Sequence, residues 1–379
     1  MEEFLHNSKQ ILESNDFTAV HIILGNEACD LDSAVSAVVY AFFLNKIHDG
    51  EFFLPVLDVP SSDFQLKTET VFAFGEHGIT RELLTFCNQV KLAEWTTEKD
   101  VKITLVDHNV LKESYKGYEP LVVEVIDHHV LEREPSDSCE VTVEMVGSCT
   151  TLIAEKIFAN TEFEMTDEVA ELLYGTILVD TVCLAESSGR VTPKDSAMID
   201  KIEAKLPQRD RKTTFNAIIA AKNDISALST NDLLRKDLKI LKTDELTIAF
   251  CSLPCHINDF LARENVDADL MTFEEKQEAS AVILMCLIVD EKEEAQRQIA
   301  VHSRDAPLVQ KIVTFLCLQT EFALSSLAPH SAPPLAPSSS SSHTYSSLSS
   351  LQTFLTCPKI SRKKVLPSVK KFFREQYCQ

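Results

Sequence analysis

The sequence predicts an α/β protein in two parts: an N-terminal domain built on a mostly parallel sheet, and a smaller C-terminal α/β domain. Three observations lead there. Apolar runs of strand length alternate with helix-compatible segments over residues 1–205, the pattern of strands joined by helical crossovers. A polar, mostly helical stretch at 206–230 reads as a linker, and the alternation resumes over 231–375. The chain has 379 residues, 45% hydrophobic and 25% charged, enough for two cores of ordinary domain size.

Ala19–Leu24 (AVHIIL) is an apolar run stopped by Gly25, as expected of a strand buried on both faces and ending in a loop. Residues 33–46 read as a helix with Asp32 or Ser33 as its N-cap. Residues 52–59, 71–74, 101–106 and 121–126 are further strand candidates, with helical or loop segments such as 80–90 between them. Residues 149–160 and 167–179 read as helices. In the second part, 247–251, Ala281–Val289 and 298–302 are strand candidates and 365–373 a helix. Residues 323–351 carry a serine run and prolines at 329, 333, 334 and 337. That composition predicts a flexible loop.

The formal charge of −22 argues against a nucleic-acid-binding surface, which needs a Lys/Arg footprint on the phosphate backbone. Only 8 glycines occur, none after Gly189, so neither G-x-x-x-x-G-K-[ST] nor G-x-G-x-x-G is present and glycine-loop nucleotide binding is excluded. The basic residues concentrate late, with residues 351–379 carrying a net +6. Eleven scattered cysteines, Cys251 and Cys255 being closest, match neither a zinc-finger nor a disulfide framework, and predict reduced thiols. The first 17 residues lack a signal-peptide pattern, and the longest apolar stretch, 34–44, is broken by Ser36 and far short of the ~20 residues a membrane span needs. These features predict a soluble intracellular protein without a membrane span.

Four acidic segments carry the chemistry. Asp30 and Asp32 (GNEACDLDS) follow the first strand; Asp107 (LVDHN) and Asp127-His128-His129 (VIDHH) end two others; Asp180 ends GTILVD. In an open parallel sheet ligands bind at the carboxyl ends of strands, so these groups are expected to converge. Asp and His at one site point to divalent metals, with imidazole favouring Mn²⁺, Fe²⁺ or Co²⁺ over Mg²⁺. Several carboxylates suit two bridged ions and in-line attack of an activated water at phosphorus. Taken singly, a D-x-D is more often a solvated turn or cap, and a strand-end Asp is as often an N-cap; the ordered set of four is what carries weight. Gly147-Ser148-Cys149-Thr150 opens a helix, which predicts either free N–H groups for an anion or a cap by Ser148.

The ordered set GNEACDLDS, LVDHN, VIDHH and GTILVD resembles the DHH phosphoesterase superfamily, and its first motif resembles the exopolyphosphatase branch that includes the animal prune proteins. The resemblance implies a DHH domain followed by an accessory substrate-binding domain. It implies Asp30, Asp32, Asp107 and Asp180 as metal ligands for two Mn²⁺ or Mg²⁺ ions, and Asp127, His128 and His129 as catalytic residues. Asn26 stands where the related manganese pyrophosphatases carry a metal-binding histidine, and is expected to serve the substrate. Ser361-Arg362-Lys363-Lys364 and Lys239 match the family's cationic substrate motifs, giving Arg362, Lys363 and Lys239 as phosphate clamps. The activity implied is metal-dependent hydrolysis of short-chain polyphosphate, with pyrophosphate as a second substrate. Two alternatives stay open: a cyclic-nucleotide phosphodiesterase, or an interaction protein of cell migration with little catalysis. The resemblance also implies nucleoside diphosphate kinase and tubulin as partners, and a cytoplasmic location extending to the nucleus and cell adhesions.

Overall fold

Five runs of apolar and β-branched residues pair side by side in the first sheet: β1 (Ala19–Leu24), β2 (Phe53–Val56), β3 (Asp100–Val106), β4 (Val122–Asp127) and β5 (Glu140–Val143). The order is β2-β1-β3-β4-β5 and every pairing is parallel, with Ile23 level with Thr104 and Thr104 with Glu124. The computed structural model describes residues 1–134, 136–243, 246–289, 295–327 and 351–377. They divide into two units, Met1–Asp224 and Ile225–Gln379.

Helices of the first unit are α1 (Glu2–Ser14), α2 (Leu31–Ile47), α3 (Thr68–Gly75), α4 (Leu92–Glu98), α5 (Cys149–Ala159), α6 (Asp167–Asp180), α7 (Pro193–Glu203) and α8 (Arg211–Asn223). Both sheet faces are covered, which is why the central strands read as unbroken apolar runs. Val20, Ile22, Leu24, Ile103 and Leu105 pack with Trp95 of α4, whereas Ile23, Val106 and Ile126 pack with α2, α5 and α6. Every residue of α2 from Leu31 to Leu44 is buried, so this helix carries no polar stripe.

Two sequence readings change. Residues 71–74 were expected as a strand but lie in α3: Val71, Phe72 and Phe74 form a short apolar run, which periodicity alone cannot assign. Arg211–Asn223, inside the segment read as a linker, is α8, which packs on α6 closely enough that a Cβ on Gly175 would meet Ile218 Cδ1 at 2.7 Å.

The second unit holds a mixed sheet ordered β10-β11-β9-β8-β7-β6, from β6 (Leu238–Lys242), β7 (Thr247–Leu253), β8 (Ala281–Val289), β9 (Ala295–His302), β10 (Ser325–Ser326) and β11 (Leu351–Thr356). Only β7 and β8 pair in parallel. Ala249, Cys251, Val282 and Leu284 face α9 (Thr230–Lys236), α10 (Ile257–Leu261) and α11 (Val266–Lys276); Ile248, Phe250, Ile283 and Met285 face α12 (Ala306–Leu318) and α13 (Arg362–Tyr377). The expected Ser/Pro-rich loop lies outside the described residues over 328–350; its first part includes β10, paired with β11. The ten described cysteines are free thiols, and among the described residues no helix is long and apolar enough to cross a membrane.

Candidate metal centre

The chain leaves β1 for β2 on one side and returns to β3 on the other, which opens a crevice at the carboxyl ends of β1 and β3. There a cleft of about 620 Å³ is lined by Asn26, Asp30, Asp32, Asp107, His128, His129 and Asp180. The first unit therefore gathers all four expected metal-ligating aspartates and both histidines.

Asn26 spans the crevice. Its Nδ2 donates to Asp107 O at 3.1 Å and to Asp107 Oδ2 at 2.8 Å, and its Oδ1 accepts from Cys29 N at 3.0 Å. With both amide ends used inside the protein, Asn26 orients Asp107 while itself lining the cleft. Asp107 itself has φ 62°, a left-handed conformation that aspartate tolerates better than most residues.

Asp30 is the N-cap of α2, accepting from Ser33 N at 3.2 Å, so the cap stands earlier than Asp32 or Ser33. That leaves the buried Asp32 carboxylate for another helix. It accepts from Ser148 Oγ at 2.8 Å, Cys149 N at 2.6 Å and Thr150 N at 2.9 Å. The N-terminus of α5 thus neither stands open to an external anion nor is capped by Ser148; Asp32 is its anion. Asp180 closes α6 and is not a strand end. Its Oδ2 is buried and lacks a hydrogen-bond partner among the described residues. The chain then runs through Val182, Cys183 and Leu184 at φ 53°, 57° and 58°, a left-handed stretch costing roughly 1–2 kcal/mol per residue, beside the site as such strain often is.

The two histidines differ. His128 Nδ1 lies 3.0 Å from Val146 O, a pure acceptor, so Nδ1 carries the proton. Its Nε2 faces Asp107 Oδ1 at 3.2 Å and Asp32 Oδ2 at 3.5 Å. His129 is 58% exposed and its Nδ1 lies 2.8 Å from Asp127 Oδ1. Asp127 is fully buried and also accepts from His128 N and Asn109 Nδ2. It is absent from the cleft lining and holds the histidine loop through these bonds.

Burial raises the pKa of Asp32, and raises those of Asp107 and Asp180 well above the carboxylate range, with the Asp32 charge adding to both. Burial opposes protonation of His128, yet Asp107 and Asp32 outweigh it and lift its pKa to about 10. Buried acids facing one another are costly unless a cation neutralises them. The donor set fits that cation. Ligand atoms of Asp107, His128 and His129 lie within 4.8 Å of one another. Among the described residues Asp107 Oδ1 and Asp180 Oδ2 are buried without hydrogen bonds; His128 Nε2 is near Asp107 Oδ1, but the pair is two acceptors when the imidazole is neutral. Fixing Nδ1–H on a carbonyl is how proteins hold an imidazole for metal ligation through its other nitrogen.

Sequence reasoning missed Asp195. This buried residue accepts from Gly147 N at 2.9 Å, Thr151 Oγ1 at 2.6 Å and Thr192 N at 2.7 Å. It ties two stretches of cleft wall together. The signal was Thr192-Pro-Lys-Asp195, a capping box with proline at the first helical position.

The cationic residues expected at the substrate belong to the second unit. Lys239 is exposed on β6 and Lys363 is exposed in the first turn of α13. Arg362 donates to Asp237 O at 2.7 Å, Asp237 Oδ1 at 2.8 Å and Ser252 Oγ at 3.1 Å, which anchors it beside the strand that carries Lys239.

Comparison with known families matches the DHH family, N-terminal domain, at residues 21–177 and the DHHA2 domain at residues 216–372. The chain belongs to the DHH family. It is 33% identical over 370 residues to Exopolyphosphatase PRUNE1 of Homo sapiens, covering 97% of this chain and 78% of that protein. Against the Mus musculus protein of that name it is 35% identical over 303 residues, 66% of that protein's length. A probable manganese-dependent inorganic pyrophosphatase of Brevibacillus brevis is 29% identical over 247 residues, 64% of this chain and 73% of that protein. The crystal structure of a Methanococcus jannaschii putative family II inorganic pyrophosphatase superposes with a TM-score of 0.51 at 17% identity, covering 94% of this chain and 99% of that one, a likeness of fold.

Proposed function

We propose that this chain, a phosphoanhydride hydrolase by its family, cleaves short-chain inorganic polyphosphate, with pyrophosphate as a second substrate, at a divalent-metal site in its first unit. The observation that carries the reading is the meeting of Asp107, His128 and His129 ligand atoms within 4.8 Å, beside Asp30, Asp32 and Asp180 in one cleft. The names of the relatives, exopolyphosphatase and manganese-dependent inorganic pyrophosphatase, support the substrate class.

Asp30, Asp32, Asp107, Asp180 and the His128 imidazole would hold two ions, with Mn²⁺ preferred over Mg²⁺ because imidazole joins the carboxylates. Bound there, a divalent cation acidifies water and neutralises charge developing on phosphoryl oxygens. The protein's own part is positional. Asn26 and Val146 O fix Asp107 and the His128 ring. Asp127 holds His129 in the Nδ1–H form, which leaves Nε2 as an acceptor at the exposed mouth, able to take a proton from the attacking water. Lys239, Arg362 and Lys363 carry cationic groups of the kind that bind phosphate oxygens.

Among the described cleft residues there is no Phe, Tyr or Trp, so no aromatic platform for a nucleobase is offered, which favours inorganic phosphate chains over cyclic nucleotides. Orthophosphate release from pyrophosphate, tripolyphosphate and tetrapolyphosphate, run beside cyclic AMP turnover with Mg²⁺ and with Mn²⁺, tests the reading. Turnover of cyclic AMP with none of the polyphosphates would overturn it.

A further inference from the structure

We infer that Arg190 is a phosphate-binding residue of the metal cleft itself, taking a phosphoryl group of the substrate on its guanidinium fork. The inference deepens the proposed hydrolase reading and rests on it for the identity of the anion.

Arg190 lines the cleft that holds Asp30, Asp32, Asp107 and Asp180, and is the only lysine or arginine among the described lining residues. The residue is exposed, and its guanidinium makes no hydrogen bond or ion pair among the described residues. Within the same unit Lys194 is already committed, pairing with Glu144 and Glu155. An unpaired arginine at the rim of an acidic cleft is available for an arriving anion.

The backbone under this side chain is pinned. Gly189 turns the chain at φ 64°, and Ser188 Oγ accepts from Arg190 N at 3.2 Å. Arg190 O stands 3.0 Å from where a Cβ on Gly147 would sit, so glycine there admits the carbonyl. Two residues on, Thr192 is held through its N and Oγ1 by Asp195, each at 2.7 Å. A free guanidinium on a fixed loop loses less freedom on binding than one on a mobile loop, and its planar fork matches two phosphate oxygens.

The test uses the full chain loaded with Mn²⁺, with imidodiphosphate as a non-hydrolysed probe followed by calorimetry, and tripolyphosphate for kinetics. For Arg190→Ala, the Kd of imidodiphosphate and the KM of tripolyphosphate rise about 10- to 100-fold, the worth of a charge-assisted pair. Arg190→Lys recovers part of the loss, while Mn²⁺ affinity and the thermal midpoint stay at wild-type values. The inference is overturned if Arg190→Ala binds imidodiphosphate within about twofold of wild type, or if its loss comes with weakened Mn²⁺ binding, which would make Arg190 a structural residue. A wild-type chain that binds imidodiphosphate but releases no phosphate from any polyphosphate would sink the proposed hydrolysis, and the binding comparison would still judge Arg190.

Discussion

Gly147→Ala probes the joint on which the cleft wall is built. A Cβ at this position would stand 2.5 Å from Thr181 Cγ2, 2.9 Å from Asp195 Oδ2 and 3.0 Å from Arg190 O. Comfortable carbon contacts begin near ~3.5 Å, so the methyl intrudes by about 1 Å on Thr181. None of the three neighbours can yield cheaply. Thr181 Oγ1 is held on Ile177 O at 2.6 Å, Asp195 Oδ2 holds Thr192 N and Oγ1, and Arg190 O is main chain. Relief must come from a backbone shift, which puts the cost near the top of the overpacking range, about 3 kcal/mol. For a unit of this size that lowers the melting midpoint by roughly 6–12 °C. Urea unfolding and scanning calorimetry read the stability, with Gly117→Ala as control, because nothing lies within 4 Å of a Cβ there. Activity falls as well, since the displaced carbonyl belongs to Arg190. A Gly147→Ala protein that melts with the wild type and keeps its kcat/KM would refute the reasoning.

Other outcomes follow from the same geometry. Asn26→Ala removes both side-chain bonds to Asp107 and weakens Mn²⁺ affinity about 10- to 100-fold, read by metal titration; unchanged affinity would show that Asp107 needs no strut. Mn²⁺ at about 100 times its Kd raises the melting midpoint of the wild type by roughly 5–10 °C. Asp180→Ala shrinks that shift while leaving the metal-free midpoint equal or higher, because a buried carboxylate oxygen without a hydrogen bond among the described residues is gone; a lower metal-free midpoint with a full metal shift would contradict the assignment. His21 is held neutral, its pKa lowered to about 4 by burial and by Lys102 and His48. The unfolded chain therefore takes up this proton first, so stability is full above the ordinary histidine value and falls as pH drops toward 4, by about 2 kcal/mol between pH 7.5 and 5. His21→Gln removes that part of the urea-midpoint change, and an unaltered pH dependence would exclude His21 as its source.

Where local pattern and tertiary environment agree, the chain could be read directly. Ala19–Leu24 is β1 to the residue, and LVDHN and VIDHH lie at the ends of β3 and β4 because strands buried on both faces are apolar until the loop begins. Residues 71–74 were misassigned because four residues do not distinguish a helical turn from a strand. The edge strand β5 was missed because its residues are half-exposed and alternate weakly, and α1 because it is short of apolar residues and packs through Phe4 and Leu5. The aspartates were legible as a set, but their division of labour was not. Asp30 as cap, Asp32 as the anion of α5 and Asp127 as anchor of the histidine loop depend on partners 2 to more than 100 residues away. Arg190 carried no sequence signal, since an arginine after Ser-Ser-Gly reads as a solvated loop until the cleft is seen around it.

The central claim is that phosphoanhydride hydrolysis runs on a cation held by the Asp/His cluster of the first unit. The most direct measurement is the initial rate of orthophosphate release from tripolyphosphate by metal-stripped chain as Mn²⁺ is added back, in the wild type and in Asp107→Asn. The account predicts no release from the stripped protein, saturable recovery in the wild type, and loss of that recovery in Asp107→Asn at matched Mn²⁺. Release that survives stripping, or full recovery in Asp107→Asn, would contradict it.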